Sequence, residues 1–226
     1  MKQMNKKREL KCTTVIFDMD GVITDTMPYH FDAWASVFSQ AGIKVNCYDI
    51  YCREGQDGLS TVKEISKEHN RQFSLQQARQ LLSQKEDLFK RIVKPRFIKG
   101  SAGFIKYLQQ RRFKLGLVTG TSRSEARKIL PDELYRTFDV AITANEIKKA
   151  KPAPEPFLKA IKALKVSSRQ AVVIENSPFG IEAAKRAGLF CIALQTSLPK
   201  GCLSGADAIF KSFRELKQKV SFVNLA

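Results

Sequence analysis

The chain has 226 residues, enough for one sizeable core or for one core with a smaller inserted domain. No apolar run approaches the roughly 20 residues that cross a bilayer, and the basic stretch from Met1 to Lys11 lacks the apolar segment of a secretory signal, so no membrane partner is indicated and a cytoplasmic protein is expected. The formal net charge is +17, but lysines and arginines are scattered without interleaved aromatics, which argues against nucleic acid and for a solvated surface that draws anions into a cleft.

The first strong signal along the chain is Val15-Ile16-Phe17, an apolar run that stops at Asp18 and Asp20, with Gly21 immediately behind. A buried strand ending in carboxylates delivers them to the crevice beyond the strand ends, where open α/β sheets bind ligands. Alternate residues of an extended chain point the same way, so Asp18 and Asp20 can face one bound group. Taken alone, acids after a strand also serve as turn formers.

Pro28 suits the first turn of a helix carrying Phe31, Trp34, Ala35 and Phe38 at helical spacing and ending near Gly42. The polar piece Arg53 to Gly58 contains two glycines and reads as a tight loop. Ser74, with Gln77 three residues on, opens a helix bearing Ala78, Leu81, Leu82, Leu88, Phe89 and Ile92, which Lys94-Pro95 ends. Residues 25–96 therefore read as all-helical. Beyond them come buried strands at Leu115–Thr119, Val140–Thr143, Ala171–Glu175 and Phe190–Leu194, alternating with helices such as Ser101 to Gln110 and Pro156 to Leu164. This alternation predicts an α/β fold, a doubly wound parallel, Rossmann-like sheet of residues 1–24 and 97–226, interrupted after its first strand by a helical domain of residues 25–96. Cys12, Cys47, Cys52, Cys191 and Cys202 form no close pair and read as reduced structural thiols.

Three further strand ends carry polar groups. Thr119-Gly120-Thr121-Ser122 offers a hydroxyl and backbone N–H groups that could grip phosphate oxygens. Lys151, held beside Pro152, could set its ammonium against a phosphate, although a lone lysine on so basic a chain is by itself a solvated surface residue. Glu175-Asn176-Ser177 supplies oxygen ligands of the type Mg²⁺ prefers, and Asn176 or Ser177 also suits a helix cap.

In this order the four segments resemble the signature motifs of the haloacid dehalogenase (HAD) superfamily of phosphotransferases. The run Phe17 to Thr26, with Tyr29-His30-Phe31 and Ala33-Trp34, is most similar to the β-phosphoglucomutase-like branch, which carries a small helical cap where the insert falls. The resemblance implies that Asp18 attacks phosphorus to form an aspartyl phosphate and that Asp20 acts as acid and then base. It also implies that Thr119, Gly120 and Lys151 hold the phosphoryl oxygens, and that Asp18, Asp20, Glu175 and Asn176 surround Mg²⁺. Two departures qualify it. Asn176 stands where the family has a second acid, and Glu54-Gly55-Gln56-Asp57-Gly58 resembles the cap loop of some pyrophosphatases and phosphatases, in which Glu54 could reach the metal or act as an acid. No arginine follows the loop glycine to hold the second phosphate that a mutase needs. His30 matches a cap-hinge histidine and Lys85 the family's cap lysine, although the helix pattern alone puts Lys85 on a solvated face. The expectation is a monomeric, Mg²⁺-dependent phosphohydrolase of a small phosphorylated metabolite. Pyrophosphatase, β-phosphoglucomutase and an inactive binding protein of the same fold are the alternatives.

Overall fold

The computed structural model describes residues 7–94 and 96–225. Its main sheet contains β2 (Thr14–Phe17), β3 (Lys114–Val118), β4 (Val140–Ile142), β5 (Ala171–Glu175), β6 (Phe190–Leu194) and β7 (Ala208–Phe210), in the order β4-β3-β2-β5-β6-β7. Every pairing in it is parallel. The first of these strands thus lies at the centre, where the crossover direction reverses, and Phe17 pairs with Leu117 on one side and Ile174 on the other.

Alternation along the strands divides the core into two layers. Val15, Phe17, Leu117, Val172, Ile174 and Ile192 pack on one face. Ile16, Val118, Val173, Cys191 and Ala193 pack on the other. Both faces need cover. One layer includes Phe104 of α5 (Ser101–Gln110), Ala126 of α6 (Arg123–Ile129) and Phe213 of α10 (Phe213–Lys219). The other includes Phe157 of α8 (Glu155–Leu164) and Ile181 of α9 (Pro178–Arg186). A short helix, α7 (Asp132–Tyr135), precedes β4.

Between β2 and β3 run α1 (Met27–Gln40), α2 (Cys47–Tyr51), α3 (Gly58–Glu68) and α4 (Leu75–Ile92). They share a separate apolar cluster that includes Trp34, Phe38, Ile43, Ile50, Val62, Ile65 and Leu81. Each boundary has a local cause. Asn46 and Asp49 form a reciprocal cap on α2, and Ser74 and Gln77 form the expected one on α4. The chain enters and leaves this insert side by side, with Asp25 N–H donating to the Arg96 carbonyl at 2.9 Å and Thr24 bridging Phe97.

The strands at the chain ends depart from the sequence reading. β1 (Arg8–Cys12) pairs in parallel with β8 (Val220–Asn224) as a separate two-stranded sheet, with Leu10 opposite Phe222. The strand expected over Val140–Thr143 is one residue shorter, because the Thr143 side chain turns to bond Glu146. Helix α4 stops at Ile92 with Val93 already extended, and Pro95 lies outside the described residues. Among the described residues no helix is long and apolar enough to cross a membrane.

Candidate active site

The carboxyl ends of β4, β3, β2 and β5 converge on Asp18. Asp18 N–H donates to the Ile174 carbonyl at 3.0 Å, which anchors the residue just past β2. Gly21 then turns the chain back at φ +84, and a Cβ there would collide with the Asn176 amide; both the backbone angle and the close approach require glycine.

Asp18 is 3 % exposed, and Lys151 Nζ lies 2.5 Å from its Oδ1 and 2.6 Å from Glu175 Oε1. Lys151 itself is 3 % exposed, so the surface role suggested by composition gives way to a buried cation between two buried acids. Burial pushes its ammonium toward neutrality, but Asp18 and Glu175 outweigh that and raise its pKa above the ordinary range. Burial likewise raises the Asp18 carboxyl well above its usual value; Lys151 opposes the shift, while Glu175 and Asp20 add to it.

Asp20 is held differently. Oδ1 accepts from Thr26 Oγ1 at 2.5 Å and lies 3.5 Å from His30 Nε2, while Oδ2 accepts from Thr121 Oγ1 at 3.0 Å and Thr119 Oγ1 at 3.3 Å. Burial pushes its pKa up, but contact with His30 and the hydroxyl bonds prevail and hold it at about 2. Thr26 and Thr121 are the residues that the sequence argument did not single out. Thr26 stands at the N-cap of α1 without capping it, because its hydroxyl is committed to Asp20.

Four insert residues close the site. His30 is 8 % exposed, stacks on Phe89 with ring centroids 4.1 Å apart, and lies 3.1 Å through Nδ1 from Lys85 Nζ. A charged Lys85 can only donate, so Nδ1 accepts and the ring proton sits on Nε2, facing Asp20. The expected solvated face for Lys85 is corrected: it is 9 % exposed, its ammonium sits over Trp34 and Phe89, and burial lowers its pKa. The sequence did carry a signal, since Leu81, Lys85 and Phe89 recur every fourth residue on one stripe of α4. Glu54 lines the same cavity of about 490 Å³, and its carboxyl is raised by burial, opposed by nearby His30, Lys85 and Lys151 and reinforced by Asp20. Gly55, at φ +83, lies so close to Lys151 that a Cβ would fall 2.5 Å from its Cδ, and Gly120 approaches within 3.8 Å of the Gly55 Cα by the same construction.

The four oxygen ligands expected for a cation are not equivalent. Glu175 spends Oε1 on Lys151, and its Oε2 accepts from the Asn176 and Ser177 N–H groups and the Ser177 hydroxyl. Asp20 is engaged as described. Asp18 Oδ2 and Asn176 Oδ1, by contrast, are buried with no partner, and the Asn176 orientation is fixed by its Nδ2 donating to Ser197 Oγ at 3.1 Å. A buried unsatisfied oxygen costs about 1–3 kcal/mol, so two of them just beyond the adjacent strands β2 and β5 mark a place for a ligand. Among the described residues no three or more His, Cys, Asp or Glu side chains gather closely enough to hold an ion alone. One carboxylate and one amide oxygen nonetheless fit Mg²⁺, which keeps several waters and takes further ligands from substrate phosphate.

A doubly wound parallel sheet with an acid pair at the end of its central strand and a lysine and oxygen donors on the neighbouring loops defines a hydrolase-type site. Residues 15–194 match the family model of haloacid dehalogenase-like hydrolases, and the chain belongs to that family. It is 32 % identical over 205 residues to validoxylamine A 7'-phosphate phosphatase of Streptomyces hygroscopicus subsp. limoneus, covering 89 % of this chain and 94 % of that protein. It is 33 % identical to a phosphorylated carbohydrates phosphatase of Thermotoga maritima, over 77 % of this chain and 81 % of the relative. Among solved structures, β-phosphoglucomutase from Clostridium difficile superimposes with a TM-score of 0.78 at 25 % identity, over 92 % of this chain and 96 % of that one.

Proposed function

We propose that the chain is a Mg²⁺-dependent phosphohydrolase of small phosphorylated carbohydrates that works through an aspartyl phosphate on Asp18, with residues 25–96 serving as a cap over a core of residues 1–24 and 97–226. The observation that carries this reading is Asp18 Oδ2, a buried oxygen without a partner at the end of the central strand, whose companion Oδ1 is fixed by Lys151. The activities of the two phosphatase relatives support the substrate class.

The steps follow from the positions. Asp18 Oδ2 attacks phosphorus, the bond from phosphorus to the ester oxygen breaks, and that oxygen leaves with a proton from Asp20. Asp20 is ionised as the site stands, so it must first be loaded with a proton; His30 Nε2–H at 3.5 Å can hand one over while Nδ1 takes a proton from the Lys85 ammonium 3.1 Å away, which leaves the imidazole neutral. Ionised Asp20 then takes a proton from the water that splits the aspartyl phosphate. Lys151 and the Gly120 N–H neutralise the transferring oxygens, while Thr119 and Thr121 keep Asp20 aimed. Mg²⁺, held by Asp18 and Asn176, would offset the repulsion between carboxylate and phosphate and help to keep Asp18 ionised.

Hydrolysis is favoured over mutase chemistry because the loop arginine is already spent. Arg53 donates to the Asp49 carbonyl at 2.6 Å, pairs with Glu68 and stands 3.4 Å from Glu64, so it offers no fork to a second phosphate. The test is a panel of sugar phosphates, β-glucose 1-phosphate and pyrophosphate among them, assayed with the wild type and Asp18→Asn. Phosphate release from sugar esters, lost in the variant with the fold intact, is expected. Isomerisation of β-glucose 1-phosphate without phosphate release, or full turnover by Asp18→Asn, overturns the reading.

A further inference from the structure

Helix α3 has two chemically different sides. Its acids, Glu64 and Glu68, turn toward Arg53, and Glu64 also accepts from Gln56 Nε2 at 2.6 Å. Its lysines turn the other way. Lys63 and Lys67 fall four residues apart, one above the other on a helix, and Arg71 follows the turn that ends the helix, its guanidinium near Gly42. All three line a groove of about 920 Å³ between α3 and the start of α4, whose lining contains no Asp or Glu. Among the described residues none of the three is paired with a carboxylate. The floor is apolar, with Val62 fully buried, Phe73 half-buried, and Leu75 at the edge 59 % exposed. The groove lies away from Asp18, on the far side of α3 from the cavity that Gly58 and Thr61 line.

An apolar trough beside an unpaired row of cations narrows the choice of occupant. A second copy of this chain brings another net charge of +17 and is repelled. Residues 1–6 contain Lys2 and Lys6 and no acid, so the chain's own leading segment is no better suited. We propose that this groove docks an acidic amphipathic helix of a partner protein, its apolar face on Leu59, Phe73 and Leu75 and its carboxylates along Lys63, Lys67 and Arg71. Helix-in-groove recognition uses this geometry: apolar anchors supply contact, and charges on the rim supply register and rate of encounter.

The test uses the full chain and a fluorescein-labelled synthetic peptide with leucines at helical i, i+3, i+4, i+7 spacing and glutamates on the remaining face, read by fluorescence anisotropy. Binding is expected to weaken about tenfold or more between about 50 mM and 500 mM salt. Lys63→Glu/Lys67→Glu/Arg71→Glu should weaken it by about tenfold or more as well. The control Lys99→Glu/Lys200→Glu/Lys211→Glu changes the net charge equally on exposed positions elsewhere and should leave affinity unchanged. Circular dichroism verifies that both variants are folded, and Leu75→Asp, at an exposed position, gives an independent loss of the apolar contact. The proposal is overturned if the acidic peptide does not bind, if the groove variants bind as the wild type does, or if the control loses as much. It is also overturned if a peptide with every glutamate replaced by lysine binds as well, or if dodecyl phosphate displaces the peptide, which would make the groove a small-amphiphile site.

Discussion

Replacing Lys151 by methionine, which keeps most of the stem and removes the charge, tests the electrostatic design of the site independently of catalysis. In the native chain one ammonium serves Asp18 at 2.5 Å and Glu175 at 2.6 Å, with all three side chains no more than 4 % exposed. Removing one member of a buried ion pair costs about 3–5 kcal/mol, because the remaining charge stays desolvated. For a chain of this length 1 kcal/mol corresponds to about 2–4 °C in the melting midpoint, so Lys151→Met should melt about 6–20 °C lower. The loss should depend on pH in a set direction. Burial raises the Asp18 carboxyl well above its ordinary value even with Lys151 opposing, and without Lys151 it rises further. A raised acid stabilises the fold below its unfolded pKa, near 4, and that contribution is lost as pH rises through the folded value. The deficit relative to wild type should therefore be smallest in acid and widen toward pH 8. Melting curves at pH 4.5 and pH 8, recorded with a chelator so that no cation replaces the lysine, measure both effects. A midpoint shift below about 2 °C at pH 8, or a deficit that narrows as pH rises, refutes the assignment of Lys151 as the charge that holds the two acids in place.

Asp20→Asn should slow turnover by about 10²–10⁴-fold through loss of proton transfer. Because the Asp20 pKa is depressed to about 2, its carboxylate should also contribute about 2 kcal/mol above pH 4, a contribution lost as pH falls through 2; equal stability of variant and wild type at pH 7 would contradict this. Glu54→Ala should lower phosphate release by about tenfold or more, while Ala at exposed Gln76 of the insert leaves it unchanged; similar rates for both would remove Glu54 from the site. Asn176→Asp should tighten Mg²⁺, measured by calorimetry, since it adds a charge at an oxygen that has no partner; unchanged affinity would mean that Asn176 does not face the ion.

Five of the six strands of the central sheet were legible because they appear as apolar runs, with the functional groups behind those nearest the centre; the edge strand β7, three residues long and only partly buried, was not. Asp18, Thr119 and Glu175 could be placed on that basis alone. The small sheet left no such trace: β1 is mostly charged, and its partner β8 begins 212 positions after β1 does. Lys85 was misplaced because a lysine on a helix is assigned to solvent unless its stripe is followed through Leu81 and Phe89 to the insert's contact with the core. Thr26 was passed over because a threonine before a helix reads as a cap, and only the fold shows its hydroxyl turned to Asp20. The commitment of Arg53 was equally hidden, since its acids come from α3, 11 and 15 residues further on.

These commitments together decide what kind of substrate the site can accept. Near the acids, Lys151 is held by Asp18 and Glu175, Lys85 by His30, and Arg53 by Glu64 and Glu68. At the cavity's outer edge, Lys90 meets Glu125 at 3.4 Å and Lys128 is exposed to solvent, where its attraction for an anion is screened. A single phosphate can share Lys151 and the Mg²⁺ proposed beside Asp18. A second phosphate on the same substrate would enter a cavity that also holds Glu54, Glu86 and Glu125, where the one buried ammonium without a carboxylate partner among the described residues, Lys85, is already bonded to His30. On the proposed function, this arrangement favours a monophosphate whose leaving group carries hydroxyls rather than a second anion, with water as the acceptor, because Arg53, the arginine that lines the cavity, is engaged by Glu64 and Glu68 and offers no fork to the far end of a sugar bisphosphate.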